Sequence, residues 1–196
     1  MNIRGVIFDM DGTVVDVSYD WGRIKEELET HGEPILHFLN ELEEPERSRK
    51  WRILERYEEE ATQKAVLKEG MEEFLLFLSG KKIRVALVTN NSRKNVNYLL
   101  QKFNLTFDCI ISRESGLWKP SGAPFKAVMR SLRLRSEECC VVGDSYFDIQ
   151  AAREAGISKV FIINKDRNRF DRTQAKVFPS VGELQKRIER LIGDSG

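Results

Sequence analysis

Histidine and cysteine are scarce in this chain, and their scarcity removes several chemistries at once. The only two histidines, His31 and His37, stand six residues apart in a charged helical stretch. Neither a histidine-based catalytic triad nor a histidine-rich metal centre follows from them. The three cysteines, Cys109, Cys139 and Cys140, are odd in number and form no C-x-x-C pair. No disulfide framework or zinc site is suggested, and a reducing cytoplasm is the expected location. No apolar run approaches the roughly 18 residues of a membrane span, and the apolar part of residues 1–8 is too short for a secretory signal. Charge of one sign is not in excess either: 32 Lys and Arg stand against 31 Asp and Glu, a net charge of +1. That balance argues against binding nucleic acid or an anionic membrane through bulk charge. Neither G-x-G-x-x-G nor a Walker A pattern occurs.

What is present is a core-forming composition, with 41% hydrophobic residues in 196, enough for one core domain and a sizeable insertion. Short apolar runs at 3–8, 83–89, 109–112, 139–143 and 159–163 alternate with helical patterns near 71–80, 92–103, 122–134 and 147–155. Runs that are apolar throughout, rather than alternating, predict a parallel sheet covered by helices on both faces. A last helix is announced by Ser180 and Glu183, spaced as a capping box ahead of Leu184, Ile188 and Leu191. Residues 17–68 break this rhythm. They contain no strand candidate, only charged helical pattern punctuated by Gly32-Glu33-Pro34 and Glu44-Pro45, which predicts two or three helices inserted after the first strand. The expected fold is therefore α/β, with a central parallel sheet in a core of residues 1–16 and 69–196 and a helical unit at 17–68.

The stretch VIFDMDGTVVD, residues 6–16, carries the first chemical signal. In an extended run Asp9 and Asp11 point to the same side. Two carboxylates about 5 Å apart repel by about 3 kcal/mol at an effective dielectric of 20. A shared cation, a protonated carboxyl, or a pair splayed into solvent after an Asp-Gly turn would each relieve this. An EF-hand is not the answer, because Gly12 comes two residues too early.

Other strand ends also finish in polar groups. Val88 leads into Thr89-Asn90-Asn91-Ser92, Trp118-Lys119-Pro120 follows the third strand, and Val142 leads into Gly143-Asp144-Ser145-Tyr146-Phe147-Asp148. Taken singly, Thr89, Asp144 and Asp148 read as helix caps or first-turn acids, and Lys119 as a solvated loop charge. Ligands of open parallel sheets bind outside the carboxyl ends of the strands, so these residues would converge with Asp9 and Asp11 on one edge.

The ordered set D-x-D-G-T at 9–13, Thr89-Asn90, Lys119-Pro120 and G-D-x-x-x-D at 143–148 resembles the haloacid dehalogenase (HAD) superfamily, specifically hydrolases with a small helical (C1-type) cap, phosphoglycolate phosphatase-like. The match covers about 1–16 and 70–165. It implies a Rossmann-like three-layer α/β/α core with the helical insert as cap, and a Mg²⁺-dependent phosphatase acting on a small phosphorylated metabolite. On that resemblance Asp9 is the nucleophile that forms an aspartyl-phosphate, and Asp11 the acid and base. Thr89, Lys119 and the backbone at Asn90 hold the phosphoryl oxygens. Asp9, the Asp11 carbonyl and Asp144 ligate the metal. Asp148 orients Lys119 or supports the metal, and Gly12 permits close backbone approach.

The acid at Asp11 disfavours C–halogen cleavage, whereas a phosphomutase retains every one of these residues and stays open as the alternative. A catalytically silent binding protein and a response-regulator receiver domain are the rivals from other classes. Cap closure would exclude water; Tyr19, Trp21, Arg23, Arg47 and Arg52 are the insert residues to consider for substrate, against packing and solvated helix faces. Monomer and homodimer are both compatible with the sequence.

Overall fold

In the computed structural model, which describes residues 3–166, 168–171 and 174–193, the apolar runs form strands. In chain order these are β1 (Gly5–Phe8), β2 (Val15–Asp16), β3 (Val66–Leu67), β4 (Arg84–Val88), β5 (Cys109–Ile111), β6 (Cys139–Gly143), β7 (Val160–Ile163) and β8 (Lys176–Phe178). The helices are α1 (Trp21–Leu28), α2 (Ile35–Glu41), α3 (Glu46–Lys64), α4 (Met71–Gly80), α5 (Arg93–Lys102), α6 (Ala123–Leu132), α7 (Tyr146–Glu154) and α8 (Val181–Gly193). Six strands make one parallel sheet in the order β5-β4-β1-β6-β7-β8. Side chains alternate across it. Ile7, Ala86, Val88 and Val141 join Phe125, Val128, Ile149 and Ala152 of α6 and α7 in one buried cluster, while the Phe8 ring meets Phe74 of α4 edge-on at 5.8 Å. Helices thus cover both faces, which is why the strands carry no polar alternation.

The chain divides into two compact units, Met1–Asp16 with Val66–Gly196, and Val17–Ala65. The second is all helical. Ile24, Leu28, Leu39 and Leu54 form its small core, with Tyr19, Trp51 and Tyr57 packed against them. Lys50 is buried there; its ammonium donates to the Leu28 carbonyl at 2.6 Å and to Glu29 Oε2 at 2.7 Å. Tyr19 stacks on Trp21 with ring centroids 4.6 Å apart, and Arg47 pairs with Glu44 at 3.0 Å, so packing and surface pairing account for these side chains within the unit.

Three strands escape the sequence reading. β8 joins the sheet edge as three residues, Lys176 exposed and Val177 and Phe178 half-buried. β2 and β3 form a two-residue antiparallel ladder, Val15 opposite Leu67 and Asp16 opposite Val66. The Lys68 amide donates to the Val14 carbonyl at 3.0 Å, and its ammonium pairs with Asp16. Residues 66–68, read from sequence as the end of the insert, therefore belong to the sheet-containing unit.

Candidate active site

Parallel pairing brings three chain segments to one edge. Phe8 lies beside Leu87 and Val142 in register, so the residues that follow β1, β4 and β6 emerge together. The Asp9 amide continues the ladder by donating to the Val142 carbonyl at 2.9 Å, and the Thr89 amide donates to Ile111 at 3.0 Å.

Asp9 is buried. Its Oδ1 accepts from the Met10 amide at 2.7 Å and from the Lys119 ammonium at 2.7 Å; no hydrogen bond to Oδ2 is made among the described residues. Lys119 spans two carboxylates, since it also donates to Asp148 Oδ1 at 2.7 Å. The second oxygen of Asp148 is fully used: Oδ2 accepts from the Ser145 hydroxyl at 2.6 Å and from the Ser145 and Asp144 amides at 3.1 and 3.3 Å. Asp148 is thereby both the capping-box acid of α7 and the anchor of Lys119. A Cβ on Gly143 would lie 2.4 Å from the Asp148 carboxyl carbon, so only glycine lets that carboxylate fold over the end of β6.

Electrostatics at this edge are short of positive charge. Burial, opposed by Lys119 and reinforced by Asp148, Asp144 and Asp11, holds the Asp9 carboxyl well above its ordinary range. Burial and then Asp148 push Asp144 up to about 6, against the pull of Lys119. For Lys119, burial favours the neutral amine, but Asp148 and Asp9 outweigh it and raise the ammonium above its usual value.

This donor set fits a hard divalent cation. Asp9, Asp144 and Asp148 each offer a carboxylate oxygen, all within 4.8 Å of one another, and oxygen-only ligation suits Mg²⁺ or a similar ion. With both Asp148 oxygens engaged by donors, Asp9 and Asp144 are the carboxylates left to ligate. Gly12 has a φ of +78°, and a Cβ there would sit 2.2 Å from Asp144 Oδ2. The turn after β1 therefore presses its bare backbone against Asp144.

The two asparagines after β4 are used differently. Asn90 locks the Lys119 backbone, its Nδ2 donating to the Lys119 carbonyl and its Oδ1 accepting from the Lys119 amide, both at 2.9 Å. Its side chain is thus spent on positioning, while its backbone carbonyl accepts from Arg113 Nε at 3.0 Å. Asn91 donates from Nδ2 to Asp11 Oδ2 at 3.0 Å. Thr89 is buried and its hydroxyl accepts from the Asn91 amide at 3.0 Å, which leaves the hydroxyl hydrogen to donate. Ser92, not Thr89, caps α5 by accepting from the Asn95 amide. Asn91 and Ser145 were not singled out from sequence. Ser145 carried a readable signal, a serine three residues before an acid at a helix start. Asn91 carried none, because its partner is 80 positions away.

Similarity to known proteins agrees with this geometry. The family model described as haloacid dehalogenase-like hydrolase matches residues 6–162. A haloacid dehalogenase-like hydrolase domain-containing protein of Arabidopsis thaliana is 30% identical over 79% of this chain and 68% of its own length. A putative pyrophosphatase, PpaX, of Caldanaerobacter subterraneus is 29% identical over 83% of this chain and 82% of its own. Among solved structures, a hydrolase from Pseudomonas syringae superposes with a TM-score of 0.77 at 19% identity, covering 95% of this chain and 98% of that one, a likeness of fold. The chain belongs to the haloacid dehalogenase-like hydrolases.

Proposed function

We propose that the chain is a Mg²⁺-dependent phosphatase that hydrolyses a small phosphorylated metabolite through an aspartyl-phosphate on Asp9. The observation that carries this reading is the state of Asp9: a buried carboxylate with one oxygen fixed by the Met10 amide and Lys119, beside a second carboxylate, Asp11. A carboxylate held in this way presents a fixed oxygen nucleophile to phosphorus.

In the first half-reaction one carboxylate oxygen of Asp9 forms the bond to phosphorus while the bond to the leaving oxygen breaks, and Asp11 delivers its proton to that oxygen. In the second, Asp11 takes a proton from water as the water attacks the phosphorus, and Asp9 leaves as carboxylate. Lys119, the Thr89 hydroxyl and the backbone at Asn90 hold the phosphoryl oxygens as charge builds on them. Asp148 keeps Lys119 aimed. When bound by Asp9, the Asp11 carbonyl and Asp144, Mg²⁺ would neutralise phosphoryl and carboxylate charge.

The helical unit is proposed as a cap that admits small substrates; it leaves and re-enters the core through the β2–β3 ladder. The name of the C. subterraneus relative, a putative pyrophosphatase, puts inorganic pyrophosphate on the panel with sugar phosphates, phosphoglycolate and nucleoside monophosphates. The test is phosphate release from p-nitrophenyl phosphate and from that panel, with Mg²⁺ and with chelator. Metal-dependent release is the expected result. Phosphoryl transfer between positions of one sugar, without net release, would replace the phosphatase by a mutase.

A further inference from the structure

The proposed chemistry needs Asp11 to present a proton in one direction, and a free carboxyl can rotate. Asn91 is buried and its own orientation is fixed. Its Oδ1 accepts from the Ser92 amide at 2.7 Å and from Asn95 Nδ2 at 2.9 Å. The Ser92 N–H can only donate, so the oxygen end of the Asn91 amide must face it. The NH₂ end is then committed to Asp11 Oδ2, at 3.0 Å. Asn95 is itself buried near the start of α5, so the amide is set by a helix start rather than by a mobile loop.

Resting on the phosphatase reading, we propose that Asn91 is the positioning residue of the acid–base carboxylate: its amide donates to Asp11 Oδ2 and so holds the carboxyl group in one orientation toward the leaving group. In the first half-reaction the Asp11 O–H bond breaks, the proton goes to the leaving oxygen as its bond to phosphorus breaks, and Asp11 is left ionised with Oδ2 still receiving the Asn91 N–H. The Asn91–Asp11 hydrogen bond also strengthens as charge appears on the carboxylate, so the clamp favours proton donation.

A residue that acts through the leaving-group acid matters in proportion to how badly the leaving group needs a proton. The experiment measures kcat/KM, which reports the steps through leaving-group departure, for p-nitrophenyl phosphate and for phenyl phosphate with Mg²⁺ saturating. The wild type is compared with Asn91→Ala and Asn91→Asp. The second variant keeps the size and the Oδ1 acceptor but turns the donor facing Asp11 into an acceptor. Both variants are expected to lose about threefold or less with the activated p-nitrophenyl ester and about tenfold or more beyond that with phenyl phosphate, a share of the 10²–10⁴ that general acid catalysis supplies. If Asn91→Ala does not fold, Asn91→Asp alone decides. Equal losses on the two esters, or failure of both variants to fold, would overturn the proposal and leave Asn91 a structural residue. A wild type inactive on both esters would instead count against the phosphatase reading from which the clamp takes its purpose, and would overturn both.

Discussion

Crowded carboxylates set the behaviour of individual residues at this edge. Asp144 has a folded-state pKa of about 6 against about 3.9 for an unperturbed aspartate. Between those values the folded chain binds a proton that the unfolded chain has released, so stability falls as pH rises through the window and stays lower above it. In chelator, Asp144→Asn is therefore expected to match the wild type near pH 4 and to exceed it in urea-unfolding stability by pH 7. Saturating Mg²⁺, binding only the folded wild type, should reverse that order; a pH-independent difference would remove Asp144 from the charged cluster. Gly12 is a second single-residue test. Its φ of +78° and its approach to Asp144 leave no room for a Cβ. Gly12→Ala is expected to lower Mg²⁺ affinity by about tenfold or more, read by titration calorimetry. Unchanged affinity would contradict Asp144 as a ligand.

At the scale of elements, the start of α7 is where structure and chemistry share atoms. Ser145 and Asp148 close the helix by a reciprocal capping box, and the same Asp148 holds Lys119. Ser145→Ala should cost about 1 kcal/mol in urea unfolding and also depress turnover, because Asp148 loses its 2.6 Å hydroxyl donor. A stability loss with turnover intact would separate the two roles.

These elements also show what a sequence discloses. β1, β4, β6 and β7 were legible because both of their faces are buried, so the apolar runs are unbroken. β2, β3 and β8 were not: two or three residues, partly exposed, are too few for any period, and neighbouring backbone rather than propensity fixes them. Asp9, Asp11, Thr89, Lys119, Asp144 and Asp148 could be marked because each stands at the end of a readable strand or in the motif of a recognised family. Asn91 could not, since its neighbour in TNNS looks the same on paper, yet Asn90 clamps Lys119 and Asn91 clamps Asp11.

For the whole molecule, the two units differ in what sustains them. The sheet-containing unit has a large buried core on both sheet faces, whereas the helical unit rests on four fully buried aliphatic residues, a core small for independent stability. Leu54→Ala should therefore cost about 2–5 kcal/mol locally, seen as faster hydrogen exchange across residues 17–65 with β1, β4 and β6 still protected. Uniform loss of protection would mean the units unfold as one.

The proposed hydrolysis turns on covalent chemistry at Asp9, and the most direct measurement is acid quenching of the enzyme during turnover of p-nitrophenyl phosphate with Mg²⁺, followed by peptide mass mapping. The prediction is a phosphoryl group on the peptide containing Asp9 and on no other, absent from Asp9→Asn, which should also lose turnover by at least about 10³-fold. Turnover that survives Asp9→Asn, or a phosphoryl group found on a different residue, would contradict it.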